Sequence, residues 1–320
     1  RGIPLFTSLD TANALANALT SRYSLGNVEL VDINNMRTKH KKLTFTKMRG
    51  TGNDYLYFDC FDQTVESPES LAVRLSNRRT GVGSDGIVLI MPSTIADAKM
   101  RMFNADGTEG SVAGNALRCV CKYLYENGHV RKDEMAVETG SGVKTAKLFI
   151  REDQVFSVLV DMGCPAFAPA KIPVKLDGDR VMMRPVFLAG EKREISCVSM
   201  GNPHVVIFVE DVNRIPLEQV GPQIETDSLF PERVNVSFAQ IVDKNDIVMR
   251  VWERGIGETA ACGTGACAVA VAAVENGFCT RGADIDVRLP GGTLVVRYQE
   301  DGKVWLTGDA NTDFTGTIEI

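Results

Sequence analysis

The sequence predicts an α+β fold of two pseudo-symmetric lobes related by internal duplication. Segments of the chain match other segments 149 positions further on: Gly52-Asn53 matches Gly201-Asn202, and Glu126-Asn127-Gly128 matches Glu275-Asn276-Gly277. A period of this length is typical of a two-lobed protein and not of a solenoid. Strands and helices alternate irregularly around one central helix per half, which favours α+β lobes over a doubly wound parallel sheet.

The duplicated unit is predicted to start at Leu43, after an N-terminal extension of residues 1–42 that has no counterpart in this register. LTFTKMRGTGNDYLYFDC has the pattern of two strands joined by a Gly-rich turn, and MRMFNADG that of a strand ending in a turn. NALRCVCKYLYENG predicts a helix, because one face carries apolar residues at helical spacing: Leu117, Val120, Cys121 and Leu124.

The second half repeats these elements, with the strands ISCVSMGNPHVVIFVE and DIVMRVWERG and the helix TGACAVAVAAVENG. The predicted boundaries are residues 43–163 plus about 308–320 for the first lobe and residues 164–307 for the second.

Composition excludes several functional classes. A formal net charge of −6 gives no electrostatic reason for binding nucleic acid or an anionic membrane. No apolar run reaches the roughly 18 to 20 residues of a membrane-spanning helix, and no signal-peptide pattern opens the chain. The eight cysteines lack paired C-x-x-C spacing, so most are predicted to be buried, reduced thiols, which favours a cytoplasmic location. With only three histidines, no metal site is expected.

The segment ACGTGACA carries the sharpest local signal. Its glycines place Cys262 just before the free amides of a helix N-terminus, where Gly263 and Thr264 can bind a carboxylate. The helix dipole predicts a thiolate there, with a pKa below the usual value of about 8.5. Packing of Cys262 under the turn is the alternative. In the other half the same register places Ala113, which has no ionisable group.

Glu253-Arg254 closes the strand that leads to this turn. Arg254 is suited to hold a substrate carboxylate and Glu253 to accept hydrogen bonds from an ammonium group, although a surface ion pair would explain both. The same register places Asn104 in the other half, where its amide can both donate and accept.

Three further asparagines lie at predicted strand ends or turns: Asn53, Asn202 and Asn235. Asparagine is a common turn residue, but Asn53 and Asn202 are related by the 149-residue offset and both follow glycine, which favours a polar cleft. His204 is predicted either to orient this cleft or to be a satisfied buried histidine.

Seven segments together resemble the diaminopimelate epimerase family over residues 43–320: GTGNDY, TGVGSDGIVL, MFNADGTEG, AGNALRC, SMGNPHVVIFVE, FPERVNVSFA and WERGIGETAACGTGACA. The resemblance implies lobes in which a β-sheet wraps around a central helix, a last strand that returns to the first lobe, and no cofactor. It also implies two facing cysteines: one thiolate removes the α-proton of LL-diaminopimelate and the opposing thiol reprotonates the other face. The product is the meso form, a precursor of lysine and peptidoglycan.

The resemblance assigns the acid–base role to Cys262, with Glu253 and His204 supporting the thiols. It assigns substrate contacts to Asn53, Asn104, Gly114, Asn115, Asn202, Asn235, Glu253, Arg254, Gly263 and Thr264. Gly86 stands where many members carry glutamine. The expected partner is a small diamino diacid, with no nucleic acid and no membrane, and a homodimer is a possible assembly.

Ala113 is the main departure, because the family pattern has cysteine immediately before Gly114. Cys119 and Cys121 follow inside the helix and do not replace it. Besides an epimerase, the sequence therefore leaves open a catalytically impaired or non-catalytic amino-acid-binding paralogue, and a one-base isomerase or racemase of the same fold. Residues 1–40 weakly resemble the C-terminal tail of a carbamoyl-phosphate synthase large chain.

Overall fold

The computed structural model describes residues 42–110 and 114–319. The chain divides into two compact units, residues 1–42 with 319–320 and residues 43–318. Of the first unit only Lys42 and Glu319 are described, so the resemblance of residues 1–40 to carbamoyl-phosphate synthase lies outside the described residues. Ala113 lies outside them as well.

The helices of the described residues are few, as the α+β prediction requires. They are α1 (Pro68–Ser76), α2 (Gly114–Glu126), α3 (Leu217–Glu225) and α4 (Gly263–Glu275), with 3-10 turns at Pro169–Lys171 and Val212–Arg214. None of these helices is long and apolar enough to cross a membrane.

Strands are the commonest regular structure in the described chain. The first half contains β1 (Lys42–Gly50), β2 (Asn53–Asp59), β3 (Gly86–Met91), β4 (Ala98–Asn104), β5 (Glu109–Gly110), β6 (Glu134–Thr139), β7 (Gly142–Arg151) and β8 (Gln154–Asp161). The second half contains β9 (Arg184–Leu188), β10 (Glu191–Ser199), β11 (Pro203–Phe208), β12 (Asn235–Asp243), β13 (Asp246–Glu253), β14 (Gly257–Thr259), β15 (Asp284–Leu289), β16 (Gly292–Tyr298), β17 (Val304–Gly308) and β18 (Asn311–Glu319).

The pairing register repeats with the predicted offset. Strands β2 and β3 run parallel with Tyr55 opposite Gly86, and β11 and β12 run parallel with His204 opposite Asn235. Each residue of the second pair lies 149 positions after its counterpart in the first. The internal duplication read from the sequence is therefore also a duplication of strand topology.

Strands from the two halves join in one continuous pairing network. Strand β17 pairs antiparallel with β8, and β18 pairs with β1. Met162 packs against the apolar clusters of both halves. The lobe boundaries given above stay predictions.

The two central helices are buried in different ways. Helix α4 is apolar on all sides, and every residue from Gly265 to Ala273 is buried, as expected for a helix that a sheet surrounds. Helix α2 is also deeply buried but carries one buried charge, Arg118, whose Nη2 donates to Thr51 Oγ1 at 2.8 Å and whose Nε donates to the Asp309 carbonyl oxygen at 3.0 Å. The bond to Thr51 ties the helix to the turn that precedes Asn53.

Candidate active site

The N-terminal turns of the two central helices meet over one side chain. A β-carbon built on Gly114 would lie 3.6 Å from Leu306 Cδ2, and one built on Gly263 would lie 3.2 Å from the same atom. Helices α2 and α4 also contact each other directly. The first amides of a helix lack partners inside the helix, so two such ends side by side form a site suited to an anion.

Cys262 is the N-cap residue of α4. Its Sγ accepts a hydrogen bond from the Gly265 amide at 3.4 Å and lies 3.6 Å from Thr264 Oγ1. Burial, and then the negative charge of Glu253, raise the pKa of this thiol, and together they outweigh the two bonds that favour the thiolate. The prediction of a lowered pKa from the helix dipole is therefore wrong for the free protein, in which Cys262 carries its proton.

Glu253, the last residue of β13, is the partner of this thiol. Its carboxylate accepts a hydrogen bond from Thr259 Oγ1 at 2.5 Å. Burial raises the pKa of Glu253, the interactions with Thr259 and Cys262 oppose this rise, and the charge of Asp85 adds to it. Thiol and carboxyl are therefore close enough for each to affect the pKa of the other. Sequence reasoning missed Thr259, whose one signal was its position three residues before Cys262.

His204 and Asn202 reach Cys262 through a neighbouring hydroxyl. His204 Nε2 lies 3.0 Å from Asn202 Oδ1, and Asn202 Nδ2 donates to Thr264 Oγ1 at 3.3 Å. Burial, together with the positive charge of Arg254, lowers the pKa of His204 to about 3, so the ring stays neutral near pH 7. A neutral ring whose Nε2 carries the proton can donate to Asn202, and this orients the amide toward Thr264.

Asn235 and Arg254 are joined through the backbone. Asn235 Oδ1 accepts from the Arg254 amide at 2.9 Å, and Asn235 Nδ2 donates to the Pro203 carbonyl oxygen at 2.9 Å. The Arg254 side chain is exposed, with Nη1 donating to the Glu232 carbonyl oxygen. The Glu232 carbonyl oxygen thus holds the guanidinium at a place that a ligand can reach.

The loop after β13 also has a buried support that sequence reasoning missed. Glu225 of α3 accepts from the Gly255 amide at 2.9 Å and from Trp252 Nε1 at 2.7 Å. Trp252 and Gly255, which flank Glu253 and Arg254 in the chain, are therefore both bonded to the Glu225 carboxylate.

The first half contributes a connected set of amides. Asn115 Nδ2 donates to Asn53 Oδ1 at 2.6 Å, and Asn53 Nδ2 donates to Asp85 Oδ2 at 3.1 Å. Asn115 also reaches the second half, because its Oδ1 lies 3.5 Å from the position of a β-carbon on Gly263. Asp85 was missed by sequence reasoning.

Asn104 and Gly86 lie opposite each other on β4 and β3. The Asn104 amide donates to Thr108 Oγ1 at 3.0 Å, within its own turn, so it is not bonded to the other predicted site residues. A β-carbon on Gly86 would lie 2.1 Å from the Phe103 carbonyl oxygen. The two strands therefore leave no room for a side chain at position 86, where many family members carry glutamine.

The predicted residues thus fall into two groups that meet at the helix ends. The second-half group is Asn202, His204, Asn235, Glu253, Arg254, Cys262, Gly263 and Thr264, and the first-half group is Asn53, Gly114 and Asn115. Ala113 lies outside the described residues. Among the described residues, no cluster of histidine, cysteine, aspartate or glutamate could hold a metal ion.

Comparison with known families follows this geometry. The model of the diaminopimelate epimerase family matches residues 45–168 and 196–312, one segment in each half. The chain belongs to the diaminopimelate epimerase family. A protein named diaminopimelate epimerase from Desulfovibrio desulfuricans is 50% identical over 285 residues, covering 87% of this chain and 99% of the relative. Its namesake from Acetivibrio thermocellus is 48% identical over 279 residues, with coverage of 87% and 99%. A third, from Methanococcus maripaludis, is 45% identical over 279 residues, with coverage of 87% and 100%.

Solved structures of low sequence identity share the fold. A Bacillus anthracis phenazine biosynthesis protein of the PhzF family has a TM-score of 0.64 at 18% identity, covering 88% of this chain and 100% of that one. A hydroxyproline epimerase from Agrobacterium vitis has a TM-score of 0.59 at 16% identity, covering 89% and 94%. The two-lobed α+β fold predicted from the sequence is confirmed.

Proposed function

We propose that this protein epimerises LL-diaminopimelate to meso-diaminopimelate, without a cofactor, by proton transfer at the α-carbon. The observation that carries the proposal is the position of Cys262: its buried thiol is the N-cap of α4, beside the N-terminus of α2 and close enough to Glu253 for the charge of that carboxylate to raise the thiol pKa. The relatives with 45–50% identity bear the name of this enzyme. A cytoplasmic location and a possible homodimer belong to the same proposal.

The two helix ends are suited to the carboxylate of the reacting amino acid. When the α-proton leaves, negative charge spreads onto this carboxylate. Fixed amide donors at Gly114 and Gly263 stabilise that charge without having to reorganise, which lowers the barrier to proton removal.

The charges around the site match a diamino diacid. Arg254 and the helix ends suit its two carboxylates, whereas Glu253 suits an ammonium group and Asp85 adds negative charge nearby. Asp85 is close enough to Glu253 to raise the pKa of that carboxyl. An amino acid with fewer carboxylates or fewer ammonium groups would leave one of these charged side chains without a counterion.

Cys262 can act in either direction of proton transfer. As a thiol it donates its proton to the α-carbon. When its proton instead passes to the Glu253 carboxylate, the resulting thiolate removes the α-proton from the same face. Inversion requires a second proton donor on the opposite face, and the residue before Gly114 is Ala113.

That alanine favours a second candidate function, one-sided proton exchange. A protein with one competent thiol would exchange the α-proton with solvent and return it mainly to the same face. Non-catalytic amino-acid binding is the third reading, and it predicts no exchange at all.

Incubation with LL-diaminopimelate in heavy water tests these readings. We expect α-deuterium to enter the substrate with the unmodified protein, and the rate to fall about 100-fold or more in Cys262→Ala, which removes the acid–base group. Cys267→Ala is the matched control, because this cysteine is buried one turn further along α4 and is not in the proposed site.

The products separate the candidates. Deuterated meso product indicates epimerisation, and deuterated LL-substrate without inversion indicates one-sided exchange. Equal rates for the unmodified protein and Cys262→Ala would refute the role of Cys262, and binding without deuteration in any variant would leave only the binding function.

A further inference from the structure

Three side chains of the first half form a continuous line of hydrogen bonds. Asp85 Oδ2 accepts from Asn53 Nδ2 at 3.1 Å, and Asn53 Oδ1 accepts from Asn115 Nδ2 at 2.6 Å. This line, called the amide chain below, runs from a charged group to the junction of helices α2 and α4. Asp85 is outside the set of residues that the family resemblance assigned to the substrate.

Asp85 fixes the direction of every bond in the amide chain. A carboxylate only accepts hydrogen bonds, whereas an asparagine amide donates at one end and accepts at the other. Asp85 is paired with Arg78, whose Nη2 donates to Asp85 Oδ1 at 2.9 Å, and it also accepts from the Asp54 amide at 3.2 Å. Asn53 must therefore turn its NH2 toward Asp85 and its oxygen toward Asn115.

Asn115 must in turn direct its NH2 to Asn53, which leaves its oxygen at the end of the amide chain. This oxygen is buried, since Asn115 is only 3% exposed, and it has no hydrogen-bond partner among the described residues. It lies 3.5 Å from the position of a β-carbon on Gly263, at the N-terminus of α4. A buried acceptor without a donor is unfavourable, so a hydrogen bond from an N–H or O–H group would stabilise this oxygen.

We infer that Asp85 is a positioning residue that sets the direction of the amide chain, so that Asn115 Oδ1 accepts a hydrogen bond from the ammonium group of the ligand. The inference rests on the proposed function for the identity of that ligand. A carboxylate at the helix amides with an ammonium group beside it is the head of an α-amino acid. The carboxylate of Asp85 thereby selects an amino acid over a simple carboxylic acid, without touching the ligand.

Asparagine at position 85 removes this constraint. Asp85→Asn keeps the size of the side chain, but its amide can donate to Asn53 as well as accept from it. The amide chain can then reverse, and Asn115 would direct its NH2 toward the ligand ammonium. The variant should lose affinity for amino acids and keep its affinity for the corresponding acid without ammonium groups.

Asp54 provides a matched control. It binds Arg78 at 2.6 Å and Lys47 at 2.9 Å, so Asp54→Asn removes one negative charge from the same ion-pair network. Its side chain is not bonded to Asn53 or to Asn115. A general effect of charge or stability would appear in both variants, whereas an effect on the amide chain would appear only in Asp85→Asn.

The binding experiment compares LL-diaminopimelate with pimelate, the same diacid without ammonium groups, by calorimetry. In Asp85→Asn we expect the dissociation constant for LL-diaminopimelate to rise about tenfold or more, the effect of losing one hydrogen bond to a charged group. The constant for pimelate should not rise. In Asp54→Asn the ratio of the two constants should equal that of the unmodified protein.

A charge swap tests the direction itself. In the double variant Asp85→Asn with Asn53→Asp, the carboxylate at position 53 accepts from both of its neighbours, so Asn115 must again present its oxygen. Affinity for LL-diaminopimelate should return toward that of the unmodified protein. A double variant that binds no better than Asp85→Asn would overturn the inference.

A measurement without ligand separates this inference from the proposed function. NMR of protein labelled with 15N-asparagine should show an Asn115 NH2 group that exchanges slowly with solvent in the unmodified protein and in the double variant, and faster in Asp85→Asn. An unchanged Asn115 signal in Asp85→Asn would refute the role of Asp85, whatever the ligand. If the NMR signals change as expected but the protein binds neither diacid, the proposed function is refuted and the role of Asp85 in the amide chain is still supported.

Discussion

Replacing Gly86 by alanine is expected to destabilise the protein and to displace Asn104. The β-carbon of alanine would lie 2.1 Å from the Phe103 carbonyl oxygen and 3.2 Å from Asn104 Cα. Both contacts are with backbone, so no side chain can rotate away to make room. Strand β3 must move away from β4 by about 1 Å, a displacement of the kind that overpacking imposes.

The expected magnitude is the difference between two effects. Overpacking of this kind costs about 1 to 3 kcal/mol. The reduced freedom of the unfolded chain on going from glycine to alanine offsets about 0.4 to 1 kcal/mol. The free energy of unfolding should therefore fall by about 1 to 2 kcal/mol, and Tm by about 2 to 8 °C.

Urea and thermal unfolding of Gly86→Ala and Gly110→Ala measure this effect. Gly110 is the matched control, because it pairs with the same strand β4 but faces only the flexible side chain of Met102, whose Cε lies 3.2 Å from the β-carbon position. We expect Gly110→Ala to change Tm by less than about 2 °C, since surface and flexible contacts yield easily. Equal stability of Gly86→Ala and the unmodified protein would refute the close approach of β3 and β4.

Variants at three other residues probe the polar groups of the site and its supports. Thr259→Val removes a hydrogen bond that lowers the pKa of Glu253, so this pKa should rise. The acid limb of the pH profile for α-proton exchange should therefore move to higher pH. Thr259→Ser keeps the hydroxyl and should keep the original profile. Glu225→Leu leaves two partly buried N–H donors without an acceptor, and urea unfolding should show a loss of about 1 to 3 kcal/mol. His204 has a pKa of about 3 in the folded protein and 6.5 in the unfolded chain. As the pH is lowered, the unfolded chain therefore binds a proton before the folded protein does, and the free energy of unfolding falls between pH 6.5 and 3. The decline should be shallower in His204→Gln, and an identical pH profile would contradict the burial of a neutral ring.

The duplication made much of the fold predictable from the sequence. The offset that relates Asn53 to Asn202 also relates the paired residues of β2 and β3 to those of β11 and β12. The predicted helix NALRCVCKYLYENG begins one residue earlier, at Gly114, and buries its apolar face as expected. These features depend on local patterns and on repetition, both of which are visible in one sequence.

The site was less predictable, because its energetics depend on burial and on contacts distant in sequence. The helix N-terminus correctly indicated where Cys262 lies, but the sequence could not show that burial and Glu253 determine the thiol pKa. Glu225 carries no local motif, and Asp85 lies in the segment TGVGSDGIVL without an assigned role; both roles follow only from bonds to residues 30 and 32 positions away, respectively. Gly86 was noted in the sequence as a departure from the family pattern, but the close approach of β3 and β4 at this position is visible only in the structure.

The most direct test of the account is the ratio of meso product to incorporated α-deuterium for the unmodified protein and for Ala113→Cys, starting from LL-diaminopimelate in heavy water. As an epimerase that lacks one of the two expected thiols, the unmodified protein should form deuterated meso product slowly, and α-proton exchange with no meso product would contradict epimerisation. A second thiol at position 113 should increase meso formation about 100-fold or more, and Cys262→Ala in the same background should abolish the gain. If Ala113→Cys leaves both deuteration and inversion at the level of Cys262→Ala, the cleft is not a two-sided acid–base site for this substrate.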